Sequence, residues 1–223
     1  MKRLSLLILI LVLCSCQTLP LINSPISPTG EKLLTCPSPF LKSKYRFIHT
    51  IETSMAGHTQ STIIGITLVD PSTHLVSCAI MTVEGMVLFE AESGTDGIKV
   101  NRALSPFDSA DFAKNMIEDI KLIFFAPVGK IQNSGYLRDG ATVCRHLEEN
   151  GDWIDVIKNK SEGVQIKRYS SAGFLKRHIK FKNTAENIYQ NIELQAYESF
   201  NYSLLLTLIE AQPVKIKTFR RKH

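Results

Sequence analysis

The residues best placed for covalent chemistry are two cysteines in "LVLCSCQT", Leu11 to Thr18. A thiolate can attack an electrophile, ligate a metal or form half of a disulfide. A metal site is the weakest of these readings, because no partner His or Cys lies nearby at ligand spacing. The preceding residues separate the other two. Lys2 and Arg3 open the chain, and Leu4 to Leu13 are all apolar except Ser5. As a helix this run would span roughly 15 Å, about half of a hydrocarbon core. It therefore reads as the apolar region of an export leader rather than a membrane span.

The leader's end has no small-x-small cleavage site. An apolar residue at −3 and a small residue at −1 ahead of a cysteine instead resemble the lipobox of bacterial lipoproteins. Cutting before Cys14 would put the bulky Leu13 at −1, whereas cutting before Cys16 puts Leu13 at −3 and Ser15 at −1. Cys16 is thus the expected lipid-attachment residue. The resemblance implies alkylation of its sulfur by a diacylglyceryl group and acylation of the freed amine. At about 0.8 kcal/mol per buried methylene, two or three chains anchor a protein where one would not. Gln17, rather than Asp, follows the cysteine, which under the enterobacterial sorting pattern implies the outer membrane, facing the periplasm.

Four segments follow: a leader over 1–15, a lipidated and Pro-rich tether over 16–43, a folded body over 44–213 and a basic tail over 214–223. Pro20, Pro25 and Pro28 deny the tether a helix or a strand ladder. The 223-residue chain carries a net charge of +5, with 44% apolar and 21% charged residues, so the body can bury a sizeable core unaided. The basic excess gathers in "KIKTFRRKH", Lys215 to His223, a solvated tail or a contact for anionic lipid. Without aromatic residues interleaved in a basic surface, nucleic acid is not an expected partner.

Other candidate sites are thin. His49 and Glu52, three apart in a strand, point to opposite faces and read as a surface polar pair. His58 and His74 flank strand ends near Asp70 but lack a third ligand of definite spacing. "GHTQS" and "NSGY" are not nucleophile elbows, and no Gly-rich phosphate loop is present. No catalytic, cofactor or metal residue is expected, although a carboxylate pair formed across strands would escape a sequence reading. Cys36, Cys78 and Cys144 allow at most one disulfide in an oxidising compartment. Bridging Cys78 to Cys144 would require strands of opposite halves to meet, and buried free thiols are equally open.

Strand periodicity begins at Lys44. Candidates are Lys44–Ser54, Gln60–Asp70, His74–Val83, Met86–Glu92 and Ile98–Arg102, then Ala141–Leu147, Trp153–Lys158, Gly163–Tyr169, Gly173–Lys182, Ile188–Glu198 and Tyr202–Ala211. Short turns such as "DPST", "GTDG" and "EENGD" join them, so neighbours should pair antiparallel. "PFDSADFAKNMIEDIKLIFF" differs: Phe112, Met116, Ile120 and Phe124 recur every four residues, with Asp108 as N-cap and Pro127 and Gly129 as terminators. The expected fold is mainly β with α, about eleven antiparallel strands curled into a half-barrel that a central amphipathic helix covers or plugs.

The lipobox, the Pro-rich tether and a meander interrupted by a helix together resemble the LolA/LolB class of lipoprotein carriers and acceptors. "IGITLVDPSTHLVSCAIMTVEGMVLFEA" with "PFDSADFAKNMIEDIKLIFFAP" is similar to a group of LolB-like bacterial lipoproteins. In LolA and LolB a concave apolar face holds the acyl chains of lipoproteins in transit, so the resemblance implies a lipid or acylated cargo here. The helix stripe of Phe112, Met116, Ile120 and Phe124 would then line a cavity with Met81, Val83, Met86 and Leu88, the methionines adapting to flexible chains. The alternatives are a structural or assembly lipoprotein that binds envelope protein partners, and a cell-envelope hydrolase.

Overall fold

The structure, a computed structural model, describes residues 18–23, 35–55, 58–185, 187–198 and 201–214. The expected lipobox with Cys14 and Cys16, Pro25, Pro28 and the basic tail from Lys215 lie outside the described residues. The strands are β1 (Tyr45–Met55), β2 (His58–Asp70), β3 (Leu75–Met81), β4 (Val87–Gly94), β5 (Gly97–Ala103), β6 (Lys130–Tyr136), β7 (Thr142–Leu147), β8 (Trp153–Asn159), β9 (Gly163–Tyr169), β10 (Leu175–Ala185), β11 (Ile188–Ala196) and β12 (Tyr202–Pro213). Among the described residues there is one α-helix, α1 (Ala110–Phe124).

The strands follow the order β5-β4-β3-β2-β1-β12-β11-β10-β9-β8-β7-β6. The sheet is open, with β5 and β6 as its edges, and β12 through β1 to β5, like β6 to β9, pair antiparallel with their neighbours. Each β-β connection along this order joins sequence neighbours, except where β12 returns to β1. The turns follow from local chemistry. Asp70 accepts hydrogen bonds from Ser72 N (3.1 Å) and Ser72 Oγ (2.6 Å), closing the "DPST" turn. In "EENGD" the backbone closes through Glu148 N to Asp152 O at 2.9 Å, with Gly151 at φ +84°.

The twelfth strand is the one the sequence pattern does not announce. β6 reads "KIQNSGY", and five of its seven residues are polar or glycine. An edge strand exposed over most of its length needs no apolar alternation.

Two compact units divide the described residues: the first takes in 18–23, 35–37, 127–180, 195–198 and 201, and the second 38–55, 58–126, 181–185, 187–194 and 202–214. In the first unit Val143, Cys144, Asp155, Val156 and Ile166 are fully enclosed. β8 buries four consecutive residues, Ile154 to Ile157, so both of its faces are covered. The Arg145 guanidinium grips the Asp155 carboxylate with two hydrogen bonds, Nε to Oδ1 at 2.6 Å and Nη2 to Oδ2 at 2.7 Å. A disulfide joins Cys36 to Cys144 across 108 residues of chain.

Thr18–Asn23, expected within a free tether, is docked on the first unit. Thr18 forms a β-bridge with Phe174, and Asn23 forms one with Tyr136. Pro20 O accepts from Arg145 Nη2 at 2.9 Å, and Ile22 packs against Ala141, Val143 and Ile157. Gly135 permits the approach, since a Cβ there would overlap the Asn23 carbonyl. The prolines exclude a regular ladder, but isolated bridges and a buried guanidinium need none.

Candidate functional site

The second unit holds the helix and the sheet face beneath it. α1 begins at Ser109, whose Oγ accepts from Phe112 N at 3.1 Å, one residue beyond the expected cap Asp108. Asp111 in the first turn and Lys121 in the last complement the helix dipole. The helix stops at Phe124, where Phe125 turns extended, before Pro127 is reached. The buried line along α1 is Ala113, Ile117, Ile120 and Phe124, while Phe112 and Met116 are half-buried.

Register identifies the sheet face that α1 meets. Phe47 lies opposite Thr67, Thr67 opposite Cys78, and Cys78 opposite Ala91, so one row crosses β1 to β4 on a single face. Phe124 stacks on Phe47 with ring centroids 4.9 Å apart. Met116 Sδ lies 3.9 Å from Cys78 Sγ, and Phe112 meets the edge of Phe89 at 5.2 Å and Phe107 at 5.0 Å. Polar groups fasten the margins of this seam. Lys121 Nζ donates to Ser93 Oγ at 3.0 Å, and Tyr202 Oη donates to Asp119 Oδ2 at 2.5 Å.

Of the four expected helix residues, Phe112, Met116 and Phe124 therefore meet sheet residues in one seam, and Ile120 is buried between them along α1. Their expected partners on β3, β4 and the connecting turn are placed differently. Cys78 and Ile80 are buried on the α1 side, so alternation turns Met81, opposite Ile64, to the other face. Val83 and Met86 sit in the β3–β4 turn and are 64% and 54% exposed. Leu88 falls beside a register irregularity and accepts at its carbonyl from Leu104 N. The residues that do meet the stripe are Phe47, Cys78 and Phe89, which sit at the buried phase of their strands.

His49 corrects another expectation. It is buried on the same face as Phe47, opposite Gly65, rather than lying on the surface with Glu52. Gly65 makes room on this face, because a Cβ there would come within 2.6 Å of Ile51 Cδ1. Burial lowers the His49 pKa to about 4, so the ring is neutral at pH 7. Burial likewise raises the Cys78 thiol to about 12 and keeps it protonated. His74 is exposed and its ring meets Phe125 edge-on, while the His58 side chain lies outside the described residues. Among the described residues no three His, Cys, Asp or Glu side chains gather as a metal site would require. The centre of the seam offers apolar, polarisable contact, and His49 and Cys78 on this sheet face are held neutral.

No protein-family model matches the chain, and no curated protein matches it. Among solved structures, a LolA superfamily protein from Nitrosomonas europaea superposes with a TM-score of 0.56 at 12% identity, covering 79% of this chain and 89% of that one. The fold is LolA-like. A domain described as an outer membrane lipoprotein-sorting protein, from Vibrio parahaemolyticus, gives a TM-score of 0.46 at 9% identity over 77% of this chain and 85% of its own. In the sheet of this chain the helical spacing of the stripe is legible in the sequence, whereas β3 and β4 present Cys78 and Phe89 to α1 in place of the expected Met81 and Leu88. The disulfide partner and the Arg145–Asp155 pair are not legible either. Their one signal is a charge set within an apolar run, in "VCRHL" and "WIDVI", where burial demands a partner.

Proposed function

We propose that the chain is a membrane-anchored periplasmic lipoprotein, attached through Cys16 to the outer membrane, that takes acyl chains of a lipid or acylated molecule into the seam between α1 and its sheet. The observation that carries this reading is the α1 seam of a LolA-like fold, where Phe112, Met116 and Phe124 meet Phe89, Cys78 and Phe47. Such a surface gives a hydrocarbon chain dispersion contacts without asking it to hydrogen-bond. Desolvation of the chain supplies the driving force, at about 25 cal/mol per Å² of apolar area buried, so no covalent step is needed. The Cys36–Cys144 disulfide supports an oxidising compartment. The proposal carries a leader over 1–15 and a basic tail over 214–223 that would meet anionic head groups.

Native mass spectrometry of the full chain released from membranes tests the reading. Bound lipid should survive gentle ionisation and be lost in a Met116→Lys variant that remains folded by circular dichroism. Protein that emerges empty from several lipid backgrounds sinks it. A second reading, an assembly lipoprotein that binds envelope proteins, is favoured by β5, an edge strand exposed at six of its seven residues, Ile98 and Val100 among them.

A further inference from the structure

The segment following the expected lipid-attachment cysteine is a built part of the first unit, and its margin is apolar. Cys16 and Thr18 are two residues apart, so their Cα atoms are separated by at most about 7 Å. Thr18 is bridged to Phe174, and a Cβ on Gly173 would stand 3.3 Å from Leu19 Cβ. Pro20 O is held by the buried Arg145 guanidinium, which is itself fixed by Asp155. Asn23 exchanges both backbone hydrogen bonds with Tyr136, each at 2.9 Å. An anchor at Cys16 would thus be coupled to the first unit with almost no slack.

Large apolar side chains lie along this segment. Phe174, at its start, is 63% exposed; Leu21, within it, is 89% exposed; Tyr136, at its end, is 40% exposed. An aromatic ring or leucine left in water at both ends and the middle of one short docked segment has no role in the core. Phenylalanine, leucine and tyrosine suit the boundary between head groups and acyl chains, where an apolar body is buried and a phenol remains wet.

We infer that the edge of the first unit formed by Thr18–Asn23, Phe174 and Tyr136 is a membrane-contacting surface, with Phe174 and Leu21 entering the lipid boundary beside the anchor. The occupant is a lipid bilayer, selected by the covalent proximity of the acylated residue. This rests on the proposed acylation of Cys16. The bilayer contact fixes how the first unit is presented to the membrane, in place of the free swing that a Pro-rich tether would allow.

The test uses the full-length processed protein reconstituted into vesicles of phosphatidylethanolamine and phosphatidylglycerol, part of which carries brominated acyl chains. Single tryptophans are placed by Phe174→Trp or Leu21→Trp, with Val100→Trp on β5 as reference, each in a Trp153→Phe background. Insertion about 5–10 Å into the interface puts the probe beside bromine, so emission from the Phe174→Trp and Leu21→Trp proteins should fall about twofold or more while that from Val100→Trp is little changed. Intact mass of the same preparation reads the anchor separately. Acyl mass on Cys16, with the Phe174→Trp and Leu21→Trp proteins quenched no more than Val100→Trp, overturns the surface and leaves the anchor standing. Absence of acyl mass overturns the anchor, and the inference with it.

Discussion

Tyr202, the first residue of β12, donates its hydroxyl to the Asp119 carboxylate at 2.5 Å and so gives α1 a polar tie to the sheet in addition to its aromatic contact with β4. Asp119 is buried although it is a carboxylate on a helix, and removing the donor to a buried acceptor costs about 1–3 kcal/mol. Tyr202→Phe removes the donor and leaves the ring. The variant should be less stable by about 1–3 kcal/mol in urea titration, with faster hydrogen exchange along α1 than elsewhere in the second unit. If the seam admits acyl chains when α1 loosens, the same variant should take up a fluorescent fatty acid faster than wild type. Unchanged exchange in α1 would show that this contact does not hold the helix.

His49 gives the second unit an acid sensitivity. Its folded pKa of about 4 lies below the ordinary 6.5, so between those values the unfolded chain binds a proton that the folded chain refuses. This contribution is therefore complete above pH 6.5 and is lost as the pH falls toward 4. Its ceiling is on the order of 3 kcal/mol. A His49→Leu variant should show a flatter dependence of melting temperature on pH over this window, and an identical slope would remove His49 as the cause.

Cys78 reports on the seam. With its thiol raised to about 12 and its sulfur against Met116, it should resist a thiol reagent in the native protein at pH 8. Phe124→Ala removes the ring stacked on Phe47 and should cost about 3–5 kcal/mol. Modification of Cys78 in that variant should quicken before global unfolding, as followed by mass spectrometry against urea. Equal rates in both proteins would mean that α1 does not shield the thiol.

These residues also show what the sequence makes legible. The α1 stripe is visible because Phe112, Met116, Ile120 and Phe124 keep helical spacing, whereas the phase of β3 is not, since "LVSCAIM" carries apolar residues in both phases and the expected Met81 lies in the phase opposite to the buried Val76, Cys78 and Ile80. Which strand residue meets which helix residue is a matter of register, and sliding by one residue exchanges Cys78 or Ile80 for Met81. His49 illustrates the opposite failure. A histidine in an alternating strand reads as polar, yet neutral imidazole can be buried where its neighbours leave room, here opposite Gly65. Thr18–Asn23 could not be read as docked, because its partners Tyr136, Arg145 and Phe174 lie more than a hundred residues away and its own pattern is that of a tether.

Two kinds of fastening hold that docked segment and the strand under it, and they should fail differently. The Cys36–Cys144 bond closes a loop with a sequence separation of 108, so Cys36→Ser with Cys144→Ser should cost roughly 4–5 kcal/mol, mainly through a freer unfolded chain. Asp155→Ala acts on the folded state, stranding the Arg145 guanidinium in a buried site at a cost of about 3–5 kcal/mol. Replacing both charges, as Arg145→Met with Asp155→Leu, removes the stranded charge and should recover much of that loss, since apolar pairs of similar volume often match buried ion pairs. The double variant nevertheless lacks the donor to Pro20 O. Its first unit should therefore melt near the wild-type temperature while amide exchange at Asn23, whose N–H is bonded to Tyr136 O, rises several-fold, as a segment released from the sheet would allow. If Asn23 stays as protected as in wild type, the bridges at Thr18 and Asn23 suffice and the guanidinium serves Asp155 alone.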